Sequence, residues 1–164
     1  MTAKLLLGIA IVAFGSYCGF ILSGKYRKRK LFFAQLKEFN ERFLSEVSYY
    51  RRPLKEFCSQ YDYKGEFQGF LAGYFEELDK ISHGEKDVDF SGCEFLTQED
   101  KTVVADYFKM LGKGDSGSQK AYFSASKDRL SKLYSEAELA YKKYGDLYIK
   151  LGFLCGLLLL ILMI

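Results

Sequence analysis

The chain has 164 residues, 49% hydrophobic and 17% aromatic, with 24 Lys and Arg against 21 Asp and Glu and a net charge of +3. That length holds one small domain and membrane spans, and excludes a second folded domain. The mean hydropathy of −0.10 averages two strongly apolar ends with a polar middle, so the ends have to be read separately.

At the amino end, Leu5 to Leu22 carries no charged side chain. A helix of about 18 residues rises about 27 Å, close to the hydrocarbon thickness of a bilayer. The apolar run exceeds the usual length of a signal-peptide core and leads into Gly24-Lys25-Tyr26-Arg27-Lys28-Arg29-Lys30 without a small-x-small cleavage site, which favours an uncleaved anchor. Tyr17 before Cys18 is too bulky for a lipobox, so Cys18 reads as an apolar filler.

Beyond the basic run the apolar spacing is helical. Phe32, Phe33, Leu36, Phe39, Phe43, Leu44, Val47 and Tyr50 recur at threes and fours and predict an amphipathic helix over about residues 29–50. Pro53 ends it and suits the first turn of a second helix, Leu54 to about Tyr61. A third is expected from about Gly65 to Ile81, carrying Phe67, Phe70, Leu71, Tyr74, Phe75 and Leu78. The stretch from Ser82 to Gly92 reads as a loop around the only histidine, His83. Thr97-Gln98-Glu99-Asp100 has capping-box form and predicts a fourth helix that stops near Gly112. No stretch alternates with period two for long enough to suggest a sheet.

The last predicted helix carries a stripe of Phe123, Ser126, Leu130, Leu133, Ala137, Ala140, Tyr144, Leu147 and Leu151 at alternating intervals of three and four. It runs from about Ser118 into the apolar segment that ends the sequence, about 46 residues or about 69 Å. It is therefore expected to be continuous with a second span, Leu147 to Ile164, with Lys150 snorkelling and Tyr141, Tyr144 and Tyr148 at the headgroup level. The stripe is expected to pack on the other helices as core, with a homodimeric coiled coil, and so a homo-oligomer, as the alternative.

Orientation follows from the cations. Only Lys4 precedes the first span, whereas Lys25, Arg27, Lys28, Arg29 and Lys30 follow it and Lys142, Lys143 and Lys150 flank the second. Both ends thus place the middle in the cytoplasm. The expected organisation is all-α: residues 1–24 an amino-terminal transmembrane helix, 25–146 a small cytoplasmic helical bundle, and 147–164 a carboxy-terminal transmembrane helix.

No chemistry-bearing constellation emerges. Gly112 to Gly117 has GxxxxG spacing, but Ser118 stands where a phosphate-binding loop needs lysine, and a helix rather than a strand precedes it. One histidine in a loop positions no nucleophile–base pair. Cys58 and Cys93 lack zinc-ligand spacing, so no metal, cofactor or catalytic residue is expected. Glu76, Glu77, Asp79, Glu85, Asp87 and Asp89 form an acidic segment without EF-hand spacing, a candidate docking surface for a protein partner. The basic run abuts the membrane, which fits topology and anionic-lipid contact better than nucleic-acid binding. Gly15 and Gly19 in the first span, and Gly152 and Gly156 in the second, have the spacing that lets two helix backbones approach closely, within the chain or with a partner's spans.

Several segments together resemble a known family. They are the basic exit from the first span, Glu46-Val47-Ser48-Tyr49 before Pro53-Leu54, Leu111-Gly112-Lys113-Gly114-Asp115-Ser116-Gly117-Ser118-Gln119, and Tyr144 leading through Gly152 and Gly156 into an apolar tail. The chain resembles the stage III sporulation protein AB family of endospore-forming bacteria over essentially its whole length, and the stretch from Leu111 to Gln119 is similar to that family's LGxxDxxxQ pattern. It departs from the family at Arg52, where threonine is usual, and in its many tyrosines. The resemblance implies a bundle similar to the F-type platform domains of type II secretion and type IV pilus systems. It also implies a non-enzymatic role in the channel between mother cell and forespore, beside a cytoplasmic secretion-type ATPase and other membrane components of that channel. Leu111, Gly112, Asp115 and Gln119 are then expected to fix a helix–turn–helix, with Gly112 ending one helix, Asp115 capping the next and Gln119 bonding across the turn. A membrane-anchored helical adaptor or sensor unrelated to secretion is the alternative.

Overall fold

The structure, a computed structural model, describes residues 2–50, 54–80, 88–111 and 115–163. Its helices are α1 (Thr2–Ser45), α2 (Leu54–Ser59), α3 (Glu66–Lys80), α4 (Gln98–Met110), α5 (Ser116–Ala140) and α6 (Asp146–Met163). Single π turns follow α1 at Glu46–Tyr50 and join α5 to α6 at Tyr141–Gly145. Among the described residues there is no strand, and the fold class is all-α.

The first span and the helix expected from about residue 29 are one helix, α1. The basic residues between them are good helix formers, and Gly24 alone costs only about 1 kcal/mol relative to alanine. Helix α4 starts at its capping box: the Thr97 hydroxyl accepts from the Asp100 N–H at 3.2 Å and the Asp100 carboxylate accepts from the Thr97 N–H at 2.9 Å. Pro53, Gly112 and residues 81–87, which include His83 and most of the loop expected from Ser82 to Gly92, lie outside the described residues.

The chain forms two compact units. One comprises Leu31–Ser135 and the other Met1–Lys30 with Glu136–Ile164. The core of the first is aromatic. Phe32, Phe33, Leu36, Phe39 and Phe43 form the buried face of α1, against Phe57 of α2, Phe67, Phe70, Leu71 and Tyr74 of α3, Val103, Val104, Tyr107 and Phe108 of α4, and Phe123 of α5. Phe39 is the hub, with ring centroids of Phe57, Tyr63, Phe67, Tyr107 and Phe108 between 5.7 and 6.4 Å away. Most of these pairs are edge-to-face, the arrangement that ring quadrupoles favour. The turn into α3 needs its glycine, because Gly65 has φ +67 and a β-carbon there would lie 2.6 Å from the Leu31 side chain.

Buried polar groups tie the helices together. Asn40, 1% exposed, donates to the Phe123 carbonyl at 3.2 Å and accepts from the Tyr107 hydroxyl at 3.0 Å, joining α1, α4 and α5. The Tyr74 hydroxyl donates to the Phe108 carbonyl at 2.8 Å and joins α3 to α4. The Gln35 side chain accepts from the Lys64 N–H at 2.7 Å and holds the loop between α2 and α3 on α1.

The predicted stripe on the last helix holds only in part. Phe123, Leu130 and Ala137 are buried, but Tyr144, Leu147 and Leu151 are 37%, 45% and 45% exposed, while Gly145 and Gly156 turn inward. The π turn adds one residue to a helical turn and so rotates everything after it by about one residue, roughly 100°. The heptad-like spacing of the sequence runs through a position where the backbone changes phase.

Two predictions follow from this core. Asn40→Leu removes a partner from the buried Tyr107 hydroxyl and should cost about 1–3 kcal/mol. The double variant Asn40→Leu/Tyr107→Phe should recover part of that loss, since no polar group is then stranded, in a thermal-unfolding cycle on the full chain in detergent.

Burial also pushes the Cys58 thiol up to about 12, the Cys93 thiol up to about 11, the Tyr63 and Tyr74 hydroxyls up to about 12, and the Tyr107 hydroxyl well above its ordinary range. Each group ionises more readily unfolded than folded, so the contribution of these thiols and hydroxyls to stability should be level below pH about 8.5 and fall from there toward pH 12. Tyrosinate absorbance at 295 nm should then rise in a late step that coincides with the loss of near-ultraviolet circular dichroism. A simple titration finished before unfolding would contradict the buried rings.

Candidate functional site

The unit formed by Met1–Lys30 and Glu136–Ile164 is built on glycine. A β-carbon at Gly15 would lie 2.7 Å from the Gly152 carbonyl oxygen, and one at Gly156 would lie 2.8 Å from the Val12 Cα. One at Gly19 would collide with the Tyr148 carbonyl oxygen, and one at Gly152 with the Gly15 carbonyl oxygen. The structure therefore brings Gly15, Gly19, Gly152 and Gly156 together, with backbone against backbone. This is the close approach that small residues permit where the solvent gives no hydrophobic drive for helix association.

The contact line is longer than the four glycines. Gly8 faces Leu160, where a β-carbon would lie 2.8 Å from Cδ1, and Gly145 faces the buried Ser23, its β-carbon position 3.2 Å from the Ser23 Oγ. Sequence reasoning missed Gly8, Ser23 and Gly145. The intervals Gly8, Val12, Gly15, Gly19 and Ser23 are the signal that extends the line on α1, whereas Gly145 reaches it only through the π turn.

Outward, the same helices are apolar. Phe14, Tyr17, Ile21, Leu154, Leu158, Ile161 and Leu162 are all more than half exposed. An exposed apolar surface of this extent calls for lipid or a partner. Two helices, Gly8–Ser48 and Ser116–Leu162, are long and apolar enough to cross a membrane. Where α1 leaves its apolar run, Tyr26 stacks on Tyr144 and Tyr148 at centroid separations of 5.5 and 6.0 Å. Lys30 pairs with Glu138 at 3.1 Å, and Lys142 reaches the same carboxylate at 3.6 Å.

The turn before α5 is organised by Asp115. Its carboxylate accepts from the Gly117 N–H at 3.1 Å and from the Ser118 hydroxyl, and its carbonyl accepts from the Gln119 N–H at 3.0 Å. These are the bonds of a helix N-cap, and with the Ser118 hydroxyl foremost they hold the carboxyl below its ordinary range. Leu111 is buried and closes α4 with its N–H on the Phe108 carbonyl.

The acidic residues are only partly brought together. Glu76 is exposed, Glu77 half-buried, and Asp79 lies on the last turn of α3, while Glu85 and Asp87 fall outside the described residues. The Asp89 carboxylate accepts from the Ser91 hydroxyl and N–H, which lowers its pKa. Glu77 and Asp89 line one cavity of about 150 Å³ together with Glu66, Phe70 and Cys93. Among the described residues no group of three or more His, Cys, Asp or Glu side chains is placed to hold a metal, and all four cysteines are free thiols.

A family model described as stage III sporulation protein AB matches residues 4–164. The chain belongs to this family. Membership supports a role in sporulation. No curated protein and no solved structure gives a significant match.

Replacing Gly152 by leucine should lower the unfolding temperature of the full chain in mild detergent, since the two backbones must separate, at a cost of about 1–3 kcal/mol. Gly24→Ala, where a β-carbon meets nothing within 4 Å, should leave it unchanged or raise it slightly. Equal behaviour of the two variants would dissociate the glycines from the packing.

Proposed function

We infer that this protein is a non-enzymatic membrane platform of the mother cell–forespore channel needed for endospore formation, linking a cytoplasmic secretion-type ATPase to the membrane ring components. The observation that carries the reading is the family match over residues 4–164 on a chain with two helices of spanning length. The cations flanking both apolar segments support a multi-pass arrangement with the aromatic bundle in the cytoplasm, and the platform role would put it in the mother-cell membrane. The bundle offers rigidity rather than chemistry. Its buried Tyr107 hydroxyl and Cys58 thiol are kept neutral by burial, its buried Asp100 carboxylate is committed to the cap of α4, and the buried Asn40 amide is bonded on both sides.

The acidic side chains of α3 and the loop after it are the candidate contact for the ATPase, because fixed negative charge steers and orients a basic partner surface. The purified full chain in lipid nanodiscs should bind the sporulation ATPase, and Glu76→Lys/Glu77→Lys should weaken binding about tenfold or more at low salt while leaving helicity intact. An unaltered affinity in that variant would remove α3 from the interface. Failure of the ATPase to bind or co-purify from sporulating cells would favour a membrane-anchored adaptor or sensor.

A further inference from the structure

We propose that the level at which α1 leaves the apolar layer and α6 enters it forms a binding site for anionic phospholipid headgroups, shared between the two helices. It rests on the two helices crossing a bilayer and is independent of the platform role.

Residues 25–30 and 141–150 carry eight Lys and Arg and a single carboxylate, Asp146. Part of that charge is met within the protein, as Lys30 and Lys142 share Glu138. Lys25, Arg27, Lys143 and Lys150 are exposed and have no ion-pair partner among the described residues. Three of them lie over rings instead: Lys25 is 5.0 Å from the Tyr26 centroid, Lys143 is 5.2 Å from Tyr144, and Arg27 is 5.4 Å from Phe20. A cation over a ring face keeps its positive charge and its N–H donors for another partner.

The depth of these cations is set by the tyrosines. Tyr26, Tyr144 and Tyr148 are stacked across the two helices, and rings with an apolar body and a hydroxyl tip settle where headgroups meet hydrocarbon. Immediately beyond them the apolar faces are bare. Lys25 lies over Tyr26 and Lys143 over Tyr144, and these two rings stack on each other, so cations from α1 and from the π turn before α6 are held at the one level where the phosphate layer lies. A soluble phosphate shares the chemistry but has no acyl chains to lie on the exposed faces of Phe20, Leu147 and Leu151. The lipid is the occupant that uses both halves of the surface. The π turn contributes directly, because it carries Lys142, Lys143 and Tyr144 and turns Gly145 inward, leaving those three outward.

The test uses the full chain reconstituted into phosphatidylcholine bilayers, with insertion checked by resistance to alkaline extraction. Trace spin-labelled phosphatidylglycerol is compared with spin-labelled phosphatidylcholine, and the motionally restricted fraction of each is read. The expected result is a preference of about fivefold for the anionic label, collapsing toward one in 1 M salt and in Lys25→Gln/Lys143→Gln, and retained in Lys25→Arg/Lys143→Arg. Equal restriction of the two labels, or a glutamine variant that keeps the full preference, overturns the proposal. So does loss of the preference in millimolar inorganic phosphate, which would assign the cations to a soluble anion. A chain removed by alkaline extraction overturns the membrane reading as well, whereas an inserted chain without headgroup preference overturns only this site.

Discussion

A primary amide buried among phenyl rings has to be bonded on both its oxygen and its nitrogen, and in this protein Asn40 meets that condition through two other helices. Its partners, the Tyr107 hydroxyl and the Phe123 carbonyl, fix the register of α4 and α5 on α1 at one level. Phe39, the neighbour of Asn40 in sequence, is the ring on which the aromatic cluster converges. Apolar burial supplies the larger free energy but little direction, since rings pack acceptably in several registers. A buried polar group left unpaired is costly, so the amide excludes the registers in which it would be stranded.

The second unit uses the opposite device. Its helices meet through the absence of side chains, with Gly15, Gly19, Gly152 and Gly156 letting carbonyl oxygens and Cα atoms of the facing helix take the space a β-carbon would fill. In hydrocarbon, packing distance and backbone contact replace the hydrophobic drive that works in water. The two units thus differ in what they turn inward: bulky rings in Leu31–Ser135, and glycine with bulky apolar groups outward in the unit of Met1–Lys30 and Glu136–Ile164, the pattern that suits a lipid surrounding. The glycine faces meet within one chain, and the outer faces carry exposed Phe14, Tyr17 and Ile161.

Much of this is legible in the sequence. The Thr97–Asp100 capping box, the aromatic face of α1 and the small-residue intervals are local patterns, and local patterns depend only on helix geometry. The acidic segment was less legible. Charge in a loop has no periodicity to read, and among the described residues Glu77 and Asp89 come to one cavity. Asn40 gave no signal at all, since an asparagine on a helix reads as a solvent-facing residue until a hydroxyl from another helix is known to lie 3.0 Å away.

The sequence by itself determined the all-α class, the two apolar segments of spanning length, the cations beside them and the family pattern around Asp115, because each follows from composition or from spacing along one helix. Only the tertiary structure decided which face of the last helix turns inward beyond Ala137. The stripe ending in Tyr144, Leu147 and Leu151 assumes 3.6 residues per turn throughout, whereas the π turn at Tyr141–Gly145 shifts the phase by one residue and turns Gly145, not Tyr144, toward Ser23. The π turn brings Gly145 to the line of close approach that Gly152 and Gly156 continue, a register between two helices that spacing along one helix does not contain.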